Sequence, residues 1–95
     1  MSRLLVGDDW TTAAPVRKVF SERLVKARKD AGISQEELAN RCGLHRTEIS
    51  LLERQGREPR AGTLVKLASA LGVPPEQLCT GLAWDVKRQR FKTKK

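Results

Sequence analysis

The side chains that could carry out chemistry are few in this sequence, and their spacing favours binding over catalysis. The two cysteines, Cys42 and Cys79, lack the C-x-x-C spacing of a metal or redox site and have only His45 as a possible companion. The sequence has no glycine-rich phosphate loop, no paired carboxylates at a plausible site and no Ser/His/Asp or Cys/His arrangement. We therefore predict that the protein is not an enzyme and holds no metal, cofactor or small-molecule ligand. Both cysteines are expected to be small buried apolar residues.

The charged residues are unevenly distributed, with the excess of positive charge at the C-terminal end. The chain of 95 residues has a formal net charge of +8, and its last ten residues, VKRQRFKTKK, hold six basic groups and no acidic one. Such charge favours a polyanionic partner, because phosphate contacts release condensed counterions, although a solvated disordered tail is the alternative. No apolar run approaches the roughly 18 residues of a membrane span, and the N-terminal apolar stretch is too short for a signal peptide. We therefore expect a cytoplasmic protein without membrane contact.

Apolar residues at helical spacing predict an all-α fold of five short helices and no strand. The first three helices are predicted at about 16–31, 35–42 and 46–54. A fourth predicted helix ends at Gly72, and a short fifth covers about 75–80. The first residues show no sustained period and contain Gly7, two aspartates and Pro15, which predict an irregular arm. The expected organisation is therefore an arm over residues 1–15, one compact domain over 16–82 and a basic tail over 83–95.

The segment SQEELANRCGLHRTEISLLER, which begins at Ser34, contains the clearest local signals. Ser34 and Glu37 have the spacing of a capping box, in which each side chain bonds a free backbone N–H group near the other residue. Gly43 follows the second predicted helix, at a position that commonly needs positive φ, and begins a three-residue turn. Two helices joined by such a turn form a helix-turn-helix, whose second helix can lie in the major groove of DNA.

Most of the chain resembles the Cro and lambda-repressor type of helix-turn-helix, often called XRE. The resemblance covers about residues 17–82 and rests on RKDAGISQEELANRCGLHRTEISLLERQGREPRAGTLVKLASALGV, followed by PPEQL. It implies a compact five-helix domain that binds double-stranded DNA, usually as a homodimer on a two-fold symmetric operator. A sequence-specific transcriptional regulator is the function that this resemblance implies.

The resemblance also assigns DNA-base contacts to the third helix. The matching positions are Arg46, Thr47, Ser50 and Leu51. Arg46 lies in the first turn of that helix, and arginine is the side chain best suited to bidentate contact with guanine. The Thr47 methyl group or Leu51 could contact a thymine methyl group, and the hydroxyl groups can donate or accept hydrogen bonds.

Phosphate contacts and one structural ion pair are expected from the same comparison. The residues expected to contact phosphate are Gln35, His45, Arg57 and Arg60. Gln35 begins the second helix, and the two arginines lie in the loop after the third, where contacts set register without reading sequence. For His45, a turn residue with no special role is the alternative. Arg28 and Glu53 match a buried ion pair, whose loss would leave one charge unpaired in the interior.

Three residues depart from the family pattern. Gln55 precedes Gly56 where the family often has glycine directly, so the path of the loop that follows is not fixed by the resemblance. Gly62 is expected to weaken the start of the fourth helix. Glu48 lies where the family commonly has an aromatic or polar residue, and its negative charge disfavours a phosphate contact there.

The sequence leaves open the role of Trp84 and the biological function of the protein. Trp84 could cover the core, join a dimer interface with Leu78 and Leu82, or cover an apolar patch. The alternative functions are an antitoxin that represses its own operon and neutralises a toxin protein, and the controller of a restriction-modification system.

Overall fold

The computed structural model describes the backbone of residues 2–93 and the side chains of residues 15–93. In chain order its elements are α1 (Ser2–Ala31), α2 (Gln35–Cys42), α3 (Arg46–Glu53), α4 (Ala61–Leu71), a 3₁₀ helix (Pro75–Cys79), and the strands β1 (Leu82–Asp85) and β2 (Arg90–Thr93). The described chain is therefore a mostly helical domain with a small hairpin at its C-terminal end.

One hydrophobic core joins the helices. Its buried members are Phe20, Leu24, Ala27, Leu38, Ala39, Cys42, Ile49, Leu52, Leu67, Ala68, Leu71 and Leu78. Within each α-helix they recur three or four residues apart, with one adjacent pair on α2 and one on α4, which puts them on one face of that helix. The core takes Leu38, Ala39 and Cys42 from α2 and Ile49 and Leu52 from α3, so the opposite face of each of these helices points outward.

The first helix is longer than predicted at its N-terminal end. It ends at Ala31, as predicted, but it begins at Ser2 and passes through Pro15. A proline inside a helix removes one backbone hydrogen bond, which is why the sequence predicted a boundary there. The prediction of an irregular arm was wrong for residues 2–15, which are helical, and Met1 lies outside the described residues.

The prediction of a fifth α-helix was also wrong. Residues Pro75–Cys79 form a 3₁₀ helix, in which the Gln77 N–H donates to the Pro74 oxygen at 3.0 Å, three residues back. Two consecutive prolines supply no N–H groups at the start of this segment, and only five residues separate Pro74 from Thr80. The segment is therefore too short to build a regular α-helical ladder, although Leu78 is still buried in the core.

The C-terminal residues form a β-hairpin, whereas the sequence predicted a tail and no strand. β1 pairs antiparallel with β2, and Trp84 lies opposite Phe91. The turn is closed by the Gln89 N–H, which donates to the Asp85 oxygen at 2.7 Å. Each strand has only four residues, which is too few for a period of two to be recognised in the sequence. The last two lysines lie outside the described residues.

The four α-helices end in the same backbone motif. The residues with positive φ just after them are Gly32 (+72°), Gly43 (+69°), Gln55 (+66°) and Gly72 (+72°). In each motif the next residue bonds a carbonyl five residues back, as Gly56 does to the Leu51 oxygen at 2.8 Å. The turn predicted at Gly43 is thereby confirmed. The additional residue before Gly56 is also explained, because Gln55 adopts the conformation that glycine adopts at the other three ends.

The start of α2 has half of the predicted capping box. The Ser34 hydroxyl accepts a hydrogen bond from the Glu37 N–H at 3.0 Å. The reciprocal bond is replaced, because the Glu37 carboxylate instead accepts from Arg41 Nε at 3.0 Å, one turn further along α2. Ser34 alone therefore caps the helix, which is sufficient to satisfy one of its free N–H groups.

Candidate nucleic-acid interface

The four residues expected to read DNA bases share the outer face of α3. Arg46 and Thr47 are exposed, and Ser50 and Leu51 are half-buried. The opposite face holds Ile49 and Leu52, which are fully buried and attach α3 to the core. Because α3 joins α2 through the tight turn at Gly43, the outer face is presented by two helices of fixed relative orientation.

The turn before α3 is formed by the backbone of His45. Its carbonyl accepts hydrogen bonds from the N–H groups of Glu48 at 2.9 Å and Ile49 at 3.3 Å, which start the helix. The exposed imidazole makes no capping hydrogen bond. The side chain is therefore available to an external partner beside the first turn of α3.

A hydrogen-bonded cluster links α1, α2 and α3. Arg28 Nε donates to Glu53 Oε2 at 2.6 Å, and Arg28 Nη2 donates to Glu53 Oε1 at 3.1 Å. Only 14% of the Arg28 side chain and 6% of the Glu53 side chain are exposed. The hydrogen bond to Glu53 raises the pKa of the Arg28 guanidinium above its ordinary value. The expected ion pair is thus present in the structure and bridges the end of α1 to the end of α3.

Gln35 belongs to the same cluster, which its position in the sequence did not indicate. Its Nε2 donates to Glu53 Oε1 at 2.9 Å across 18 residues of chain. Gln35 is the first residue of α2, so this bond fixes its carboxamide at the N-terminal end of that helix. A glutamine amide has two N–H donors, and the second remains available for another acceptor.

The loop after α3 returns alongside that helix. Arg57 Nη1 lies 3.8 Å from Glu48 Oε2, and both residues line a shallow recess of about 390 Å³ together with His45, Thr47 and Leu51. Gly56 packs closely against α3, because a Cβ atom there would lie 3.1 Å from Leu51 Cδ2 and 3.2 Å from the Leu51 oxygen. The loop therefore brings Arg57 to the edge of the face that carries the expected base-reading residues.

Arg60 and Gly62 lie at the start of α4. Arg60 occupies the N-cap position with an exposed side chain that makes no capping bond, while its carbonyl accepts from the Leu64 N–H at 2.9 Å. Gly62 falls in the first helical turn, so the helix forms despite the glycine. Arg60 thus lies where α4 begins, and its guanidinium group takes no part in capping the helix.

The hairpin lies on the other flank of α1 from α3. Arg23 Nε donates to the Thr80 oxygen at 3.0 Å, just before β1, whereas Arg28 contacts α3. Five residues of an α-helix correspond to a rotation of about 140°, so the two arginines point to opposite flanks of α1. The hairpin also reaches Pro15, about 20 Å along α1 from Arg28. Its basic residues are therefore remote from the recognition face.

Trp84 packs within the hairpin. Its ring meets that of Phe91 edge to face, with centroids 4.9 Å apart and an angle of 74°, and 43% of the residue is exposed. This aromatic pair stabilises the two short strands across the sheet. Trp84 is not itself one of the buried core residues.

The cysteines are free thiols in contrasting environments. Cys42 is buried, as expected, whereas Cys79 is only partly buried, and burial raises the pKa of both thiols. Within residues 15–93, no three His, Cys, Asp or Glu side chains come together as a metal site would require. No helix in the described part of the chain is long and apolar enough to cross a membrane.

Comparison with known proteins identifies the family of this domain. The model of the helix-turn-helix family matches residues 24–78, more than half of the chain. The HTH-type transcriptional regulator y4dJ of Sinorhizobium fredii, itself uncharacterized, is 38% identical over 65 residues, which are 68% of this chain and 84% of that protein. The family match over residues 24–78 contains the whole of α2, the turn and α3, and it ends before β1.

Two solved structures share the fold. The restriction-modification controller protein C.AhdI from Aeromonas hydrophila has 38% identity and a TM-score of 0.61, covering 63% of this chain and 91% of its own. The DNA-binding domain of the P22 c2 repressor has 34% identity and a TM-score of 0.63, covering 65% of this chain and 82% of its own. The chain belongs to the helix-turn-helix family of the Cro and lambda-repressor type.

Proposed function

We propose that this protein is a sequence-specific, double-stranded-DNA-binding transcriptional regulator with α3 as its recognition helix. The observation that carries the proposal is the outer face of α3, where Arg46, Thr47, Ser50 and Leu51 lie together beyond a rigid turn. An α-helix fits the major groove, and each base pair presents a distinct pattern of donors and acceptors there. In this proposal the protein acts on DNA without a catalytic step and works in the cytoplasm.

The chemistry of the α3 face fits base recognition. The Arg46 guanidinium, in the first turn, can donate two hydrogen bonds to O6 and N7 of a guanine. Thr47 and Ser50 have hydroxyl groups that donate or accept, and Leu51 adds an apolar surface that suits a thymine methyl group. This mixture can distinguish base pairs, whereas a purely basic face would bind phosphate without selecting a sequence.

Phosphate contacts on either side would hold α3 in register. At one end, the second amide N–H of Gln35 can reach a phosphate while Glu53 accepts the first. The imidazole of His45 is exposed beside the turn, and Arg57 and Arg60 follow α3 on the loop. Contacts of this kind supply affinity that falls with rising salt and carry no sequence information.

We further propose that the protein works as a homodimer. In helix-turn-helix proteins, two recognition helices related by a two-fold axis enter successive major grooves, with half-site centres about 34 Å apart. One α3 has four residues in a position to read bases, so a single copy would specify only a short site. Two copies would double the length of the recognised sequence.

Binding-site selection from random duplexes tests the proposal directly. The purified protein should enrich a two-fold symmetric motif with half-site centres about one helical turn apart. Selection that enriches no motif would refute sequence-specific binding, and an unpaired half-site would refute the dimer. Mass measurement of the purified sample separates a homodimer from a complex with a small protein, which the antitoxin alternative requires.

A second candidate function is the controller of a restriction-modification system. It is favoured by the 38% identity to C.AhdI, whose own name describes that role. The biochemical activity would be the same DNA binding, but the regulated genes would include an endonuclease gene. The selected motif should then occur upstream of a neighbouring endonuclease gene, and its absence there would count against this setting.

A further inference from the structure

Glu48 and Arg57 form a loose pair at the edge of the recognition face. Arg57 Nη1 lies 3.8 Å from Glu48 Oε2, with 55% and 33% of the two side chains exposed. This distance exceeds that of a hydrogen bond, so the attraction is Coulombic and is easily broken. The loop is directed there by the left-handed Gln55 and by the hydrogen bond that the Gly56 N–H donates to the Leu51 oxygen at 2.8 Å.

The pair belongs to the same surface as the proposed base readers. Glu48 and Arg57 line one recess with Thr47 and Leu51, on the outer side of α3. They also line the neighbouring recess toward α4, together with Pro59 and Thr63. The Glu48 carboxylate therefore points from α3 toward the loop, where it attracts Arg57 when no phosphate or other anion is bound there.

A carboxylate and a DNA phosphate are competing acceptors for one guanidinium. Arg57 cannot move fully onto a phosphate without leaving Glu48, and the carboxylate itself is repelled by the DNA backbone. We infer that Glu48 competes with DNA phosphate for Arg57 and thereby lowers the sequence-independent part of DNA binding. This inference rests on the proposed function, since it assumes that α3 and its loop approach DNA.

The expected effect is small because the pair is partly exposed. Exposed ion pairs have modest coupling, which corresponds to a change in affinity of about twofold to fivefold. Glu48→Gln should raise the affinity for duplexes without the operator by that factor. The dependence of log K on log salt should become steeper by up to about 0.9, the value for one additional phosphate contact.

A double-mutant cycle separates competition from general repulsion. Glu48→Gln, Arg57→Ala and the double variant are titrated with operator-free duplex at several salt concentrations, after circular dichroism shows that each is folded. Competition predicts that Glu48→Gln strengthens binding more in the wild-type background than beside Arg57→Ala, where only the repulsion between the carboxylate and DNA is relieved. An equal gain in both backgrounds would overturn the inference, because it would mean that the carboxylate merely repels DNA.

Glu36→Gln serves as a matched control. It removes one negative charge near the proposed phosphate contact at Gln35, and within residues 15–93 the Glu36 carboxylate has no basic group within 4 Å. Its effect on affinity should be the same with and without Arg57→Ala. The gain in affinity from Glu48→Gln should depend on the presence of Arg57, whereas the effect of Glu36→Gln should not. If the two substitutions depend on Arg57 to the same extent, the inference is overturned. If the wild-type protein binds no duplex at low salt, the proposed function fails as well, so the two failures are distinguishable.

Discussion

Replacing Gln55 by glycine should stabilise the protein, because Gln55 alone among the four α-helix ends carries a side chain at positive φ. Its φ of +66° lies in the left-handed region, which costs a residue with a Cβ atom about 1–2 kcal/mol. Glycine loses more freedom on folding, which offsets about 0.5–1 kcal/mol of this gain. The difference of these ranges centres on a net stabilisation of about 0.75 kcal/mol, or an increase in Tm of about 3–6 °C for a domain of this size.

Urea denaturation followed by circular dichroism measures this effect, and Gly72→Ala provides the opposite control. Gly72 has a φ of +72°, and a Cβ atom added there would meet nothing within 4 Å. Its substitution should therefore cost about 1 kcal/mol from backbone conformation alone. If Gly72→Ala destabilises the protein while Gln55→Gly leaves it unchanged or weaker, the reasoning from positive φ is refuted at Gln55.

The same variant bears on the interface, because Gln55 directs the loop that carries Arg57. Glycine can adopt the same φ, so the loop should keep its path and operator affinity should not change. A clear loss of affinity in a stabilised Gln55→Gly protein would show that the glutamine side chain itself contributes to binding. Measuring stability and affinity on one preparation separates these effects.

Three further predictions follow from the same structure. Arg46→Ala should lower operator affinity by about 1–3 kcal/mol and leave binding to other duplexes nearly unchanged; an unaltered ratio of the two affinities would exclude base reading. Arg28→Ala should destabilise the fold by about 3–5 kcal/mol in denaturant titrations, since it strands a buried carboxylate, and a cost below about 1 kcal/mol would contradict that burial. Replacing Lys87 and Arg88 together by glutamine should leave the salt dependence of DNA binding unchanged, and a slope shallower by about one would put the hairpin at the DNA.

The part of the fold that could be predicted from the sequence depends on signals that act within a few residues. The Ser34 cap, the left-handed Gly43 and the three- to four-residue spacing of Ile49 and Leu52 each fix local geometry without reference to distant chain. They were sufficient to predict α2, the turn and α3 with nearly correct bounds. The outer face of α3 follows from its inner face, so the grouping of Arg46 with its neighbours was predictable too.

The features that sequence reasoning missed are of two kinds. Some depend on contacts between residues far apart in the sequence, and one depends on a backbone conformation that the residue type does not indicate. The bond from Gln35 to Glu53 crosses 18 residues, and the hairpin depends on Trp84 meeting Phe91 across a turn. At Gln55, a non-glycine residue adopts positive φ, so no glycine marked the helix end there. A local sequence pattern contains no information about such pairings, whereas it contains nearly all the information that determines a helix cap.

The position of the charge changes what the net charge of +8 means for DNA binding. Four of the basic residues lie in the hairpin, on the far flank of α1 from α3. Around the recognition helix, residues 45–60 carry four arginines but also three glutamates, and two of those glutamates face arginines across short distances. Because Arg28, from outside this segment, neutralises Glu53, the four arginines are opposed by only two glutamates, and the segment has a charge of about +2 (four minus two) out of the total of +8. Attraction to any phosphate backbone should therefore be modest. Affinity must then depend more on base contacts by α3, which favours discrimination between sequences over tight binding to DNA in general.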